Sequence, residues 1–107
     1  MVAQTQDEGE VIDLEQYAKD GNPVPPHKPG RKYRIRIDKT FKTVESPTLT
    51  GSQILGLVDK TAAGYRLDQK LRGGQTKKIE PSDVVDLTSP GVERFMTLPL
   101  DQTEGGV

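Results

Sequence analysis

From Arg31 to Asp38 the chain alternates strictly, with Tyr33, Ile35 and Ile37 on one face and Lys32, Arg34 and Arg36 on the other. This predicts a half-buried strand with a basic outer face. Lys39-Thr40 makes a tight connection to a second strand at 41–45, which Ser46-Pro47 ends. Thr50, with Gln53 three residues on, matches a capping box and opens a helix over 51–60. Ile54, Leu55 and Val58 form its apolar stripe, and so short a helix must pack that stripe on a sheet. Gly56 costs about 1 kcal/mol relative to alanine in a helix interior, and close approach of helix to sheet is the reason expected for it.

Gly64 reads as the stop after this helix. Tyr65, Leu67, Gln69 and Leu71 share one face of a third strand, and Arg72-Gly73-Gly74 turns the chain into a short strand over 76–79. Pro81-Ser82-Asp83 predicts a single helical turn carrying Val84, Val85 and Leu87, followed by a turn at Ser89-Pro90-Gly91. The last strand, 92–98, alternates Val92, Arg94, Met96 and Leu98 with Glu93, Phe95 and Thr97, so both faces have some apolar character, which suits a strand interior to a sheet. With the helix crossing over one sheet face and the last strand parallel beside the first, the order predicts an α+β domain of β-grasp type, the ubiquitin-like arrangement.

The body therefore spans 31–98, with an N-terminal arm over 1–30 and a flexible C-terminal tail over 99–107. The arm ends in the breaker-rich run Gly21 to Gly30, which favours an extended, polyproline-like linker. Before it, Ile12, Leu14 and Tyr17 form an apolar cluster, expected to order by docking in a groove of a partner or of a second copy. His27 stands alone among prolines and is read as incidental.

Charge sharpens this division. Residues 1–30 hold six acids against Lys19 and Lys28, whereas residues 31–100 hold thirteen bases against eight acids. An acidic arm on a basic body can dock on that body or on a neighbour. The arginines of the first strand lack interleaved aromatic platforms, so nucleic-acid binding is set aside. No run is apolar enough for a membrane helix and no signal sequence is visible, which leads to the expectation of a cytoplasmic protein. With no cysteine, one histidine and no convergent acid–base set, the chain is expected not to be an enzyme and to hold no metal or cofactor.

The tail ends Glu104-Gly105-Gly106-Val107. Two residues without side chains can thread a narrow channel, which suits a protein whose own terminal carboxylate reacts. A second Gly-Gly pair, in Leu71-Arg72-Gly73-Gly74, lies between two strands and is assigned to a turn needing positive φ.

Tyr33 to Asp38, Thr48-Leu49-Thr50-Gly51, Tyr65-Arg66-Leu67, Lys70 to Gly74, Val85-Asp86-Leu87 and Pro90-Gly91-Val92-Glu93-Arg94-Phe95 together resemble the bacterial multiubiquitin domain, over roughly residues 11–106. The resemblance implies a ubiquitin-like modifier that works with an activating enzyme, a conjugating enzyme and a deconjugating or processing peptidase. It implies conjugation through Gly105 and Gly106, removal of Val107 after Gly106, and use of ATP by the activating enzyme, with target proteins as acceptors. The chain departs from many relatives in having one domain, and in carrying Val107 beyond the glycines. Two other classes share some of these features: a sulfur carrier ending in a thiocarboxylate, and a noncovalent module that self-associates through its arm.

Overall fold

The computed structural model describes residues 10–100. The elements follow in the order β1 (Val11–Asp13), α1 (Leu14–Asp20), β2 (Lys32–Ile37), β3 (Thr40–Val44), β4 (Thr48–Thr50), α2 (Gly51–Leu57), β5 (Tyr65–Leu71), β6 (Thr76–Ile79), β7 (Val84–Asp86) and β8 (Val92–Pro99). They make a small mixed α/β domain. Its main sheet runs β1-β2-β8-β5-β6, with β3 also paired to β2, and β4 and β7 form a separate two-stranded sheet.

The alternation in β2 has its expected consequence: Tyr33, Ile35 and Ile37 are buried. They join Ile54 and Leu55 of α2, Leu67, Ile79 and Phe95 in one core. The capping box is formed, with Gln53 N donating to Thr50 Oγ1 at 3.1 Å and Thr50 N donating to Gln53 Oε1 at 2.8 Å. The β5–β6 turn places Gly73 at φ 94° and Gly74 at φ 91°, so that internal Gly-Gly pair has the turn role expected of it.

Several expectations change. α2 ends at Leu57, and the left-handed residue after it is Asp59, not Gly64; Lys60 N closes the end by donating to Leu55 O at 3.0 Å. A Cβ on Gly56 would meet nothing within 4 Å, so close packing does not explain that glycine. The close approach is at Gly51, where a Cβ would collide with the Glu80 carbonyl oxygen. Residues 84–86 form strand β7, not a helical turn: the β-branched pair Val84-Val85 suits an extended chain, and Val85 lies opposite Leu49 of β4.

The largest change concerns the arm. The folded unit begins at least as early as residue 10, not at 31, because β1 pairs in parallel with β2. β3 holds one edge of β2, at Tyr33↔Val44 through Ile37↔Thr40. The other edge is shared: β1 takes Lys32 to Arg34, whereas β8 meets β2 at Ile37↔Phe95. The two strands thus form a fork that closes at Ile37, and the arm fills its open end, with α1 packed on β8 and β2.

Local chemistry explains why the arm takes this shape. Asp13 caps α1 by accepting from Gln16 N at 3.2 Å, and Gly21 ends it in the left-handed conformation. Glu15 in the first turn and Lys19 in the last complement the helix dipole.

Candidate functional site at the root of the C-terminal tail

Gly105, Gly106 and Val107 lie outside the described residues. Their approach does not. β8 pairs antiparallel with β5 as far as Tyr65↔Pro99, and Leu100 N then donates to Gly64 O at 2.9 Å. The chain is therefore held by backbone bonds up to its last described residue. Leu98 and Leu100 are 46% and 39% exposed, and Leu100 also lines a cleft of about 150 Å³ together with Leu55, Tyr65, Leu67 and Ile79.

A polar cluster clamps the end of β8. Asp38, at φ 56° in the β2–β3 turn, accepts from Thr97 N at 2.9 Å and from Thr97 Oγ1 at 2.6 Å. Lys60, just past α2, donates to Thr97 Oγ1 at 2.8 Å and to Asp38 Oδ2 at 3.3 Å, and its ammonium sits 4.7 Å from the centre of the Tyr65 ring. Partial burial pushes the Asp38 carboxyl up, but the hydrogen bonds from Thr97 and Lys60 outweigh it and hold the group below its ordinary range. Three separated segments thus meet immediately before the tail. The alternation of strands gives no hint of Lys60 in this role, although Asp in a hairpin turn is a type that tolerates left-handed backbone.

The residues expected as a docking arm lie on the chain's own body. Ile12 and Leu14 are each 1% exposed and belong to the core, and Tyr17 packs against it. Ion pairs follow the same path: Glu10 with Arg31 at 3.0 Å, Asp13 with Arg34 at 3.8 Å and Glu15 with Arg36 at 3.0 Å. Of these, Asp13–Arg34 is well exposed and weak, whereas Glu15 is itself buried. His27 is not incidental. Its Nδ1 is 2.9 Å from the Tyr33 hydroxyl, whose pKa is raised by burial despite the opposing pull of Arg31. The Asp13, Gln16, Gly21 spacing is the sequence signal that marks α1.

Among the described residues no group of acidic, histidine or cysteine side chains could hold a metal ion, and no helix is long and apolar enough to cross a membrane. The family model described as Multiubiquitin matches residues 33–99, running from the buried Tyr33 of β2 to the last residue of β8. No curated protein and no solved structure matches the chain.

Proposed function

Since the chain belongs to the multiubiquitin family on a match over more than half its length, we propose that it is a ubiquitin-like modifier of β-grasp fold whose own C-terminus is the acyl group delivered to other proteins. The observation that carries this reading is the course of β8. The strand is bonded on through Leu100, and the chain beyond it ends in Gly105-Gly106-Val107. The six residues from Asp101 to Gly106 span at most about 20 Å at 3.3 Å per residue. That length lets the glycines enter a partner's active site while the domain stays outside it.

The chemistry proceeds in four steps. A peptidase adds water across the Gly106–Val107 bond, releasing valine and leaving the Gly106 carboxylate. In the activating enzyme that carboxylate attacks the α-phosphorus of ATP, expelling pyrophosphate and forming an acyl adenylate. A partner hydroxyl or thiol then takes the acyl group and AMP departs. Finally a target amine attacks this ester or thioester, forms an amide and frees the partner nucleophile. The chain contributes the acyl group and a recognition surface, and the ATP-consuming steps belong to the cytoplasm.

Isotope exchange between pyrophosphate and ATP, catalysed by the cognate activating enzyme, tests this. Chain ending at Gly106 is expected to support exchange, and chain retaining Val107 is not. Equal exchange with both removes the precursor step; exchange with neither removes the acyl-donor reading. A sulfur-for-oxygen mass increase on the free chain would instead mark a thiocarboxylate carrier.

A further inference from the structure

The arm enters the sheet as an added strand, and every contact it makes with the body could be remade by the same arm from another molecule. We propose that the segment from Glu10 to Asp20 exchanges between copies of this chain, one copy's arm filling the fork between β2 and β8 of the next. This inference is independent of the acyl-donor reading. It rests on three observations.

The first is that the fork needs an occupant. β1 covers the edge of β2 at Lys32 to Arg34, and with Ile12 and Leu14 gone the core to which they belong, beginning at Tyr33 across from Ile12, would be opened to water. The second is complementarity: Glu10, Asp13 and Glu15 meet Arg31, Arg34 and Arg36 in order, the first just before β2 and the other two within it. A second copy offers the same ladder.

The third is the length and stiffness of the connection. Lys32 N donates to Glu10 O at 3.0 Å, so the arm begins beside the start of β2. The three residues of β1 and seven of α1 carry the chain at most about 20 Å away, from rises of roughly 3.3 and 1.5 Å per residue. Residues 21–31 must bring it back, yet they include Pro23, Pro25, Pro26 and Pro29 and relax towards about 34 Å in polyproline geometry. In the closed chain this segment is bent and pinned, by Arg31 Nη1 donating to Pro26 O at 2.7 Å and by the His27–Tyr33 contact. Straightening it gives up these two contacts and presents the arm to a neighbour, and the extended length is enough to reach one. Reciprocal exchange gives a closed dimer, and one-way exchange gives a chain of molecules.

The absence of cysteine allows a direct test. Val11 lies opposite Lys32 across the β1–β2 pair and is 44% exposed, so cysteines at these two positions stand at bridging distance without entering the core. Full-length Val11→Cys and Lys32→Cys are unfolded together, refolded at high concentration and oxidised. Exchange predicts a disulfide between the two different variants, in excess of the bridges each forms alone. It also predicts that the unmodified chain rises from the mass of one molecule towards two or more between micromolar and millimolar concentration. The proposal is overturned if the mixed bridge is no more frequent than chance pairing, or if the unmodified chain keeps a single-molecule mass throughout while a chain carrying both Val11→Cys and Lys32→Cys, refolded and oxidised in the same way, closes only within itself.

Discussion

Ile12 lies directly across the β1–β2 pair from Tyr33, and both side chains are buried at the centre of the domain. Residues that read as an appendage are therefore core. Alanine at Ile12 or Leu14 leaves a cavity and should lower stability by about 2–5 kcal/mol, a large part of what so small a domain possesses. Urea unfolding checks this: the midpoint falls, and a loss of under about 1 kcal/mol would place the arm outside the cooperative unit.

Two glycines in the same helix should respond in opposite directions. Gly56→Ala meets open space and removes a helix-weakening residue, so it is expected to stabilise by about 0.5–1 kcal/mol. Gly51→Ala drives a methyl into the Glu80 carbonyl and should cost about 1–3 kcal/mol. Melting temperatures of the two variants, measured side by side, separate these outcomes.

The Asp38 cluster carries a pH signature. Because the folded carboxyl titrates below its unfolded value of 3.8, its contribution is complete above that pH and is lost as pH falls through the lower, folded value. Denaturant midpoints should drop on acidification below about pH 4. Asp38→Asn should flatten that drop only in part, since Asp86 is also held low by its hydrogen bonds from Thr88. An unchanged acid profile in the variant would show that the cluster does not stabilise the end of β8.

Gly106→Ala lies beyond the described domain, so the fold should keep its melting temperature while adenylate formation by the processed chain falls at least tenfold. A variant that activates normally would show that the terminal residue's lack of a side chain is not needed.

How much was legible follows from the range of each interaction. The β2 alternation, the Thr50–Gln53 cap and the Gly73–Gly74 turn are local, and the pattern places them correctly. The position of β1 is not local: its pairing with β2 crosses a proline-rich connection, and nothing in residues 11–13 names the partner strand. The same holds for β7, whose pairing with β4 overrides the helical-turn signal of Pro81-Ser82-Asp83, and for Lys60, which reaches Thr97 across 37 positions. Gly56 shows the converse error, a packing reason assigned to a glycine that touches nothing.

The acyl-donor account is tested most directly by mapping adducts from cells that express the chain with its partner enzymes. Digestion after glutamate cuts at Glu104 and should leave a Gly105-Gly106 remnant on target lysines, with Val107 absent from every adduct. Adducts that retain Val107, or a chain recovered only in free form while its activating enzyme is active, would contradict it.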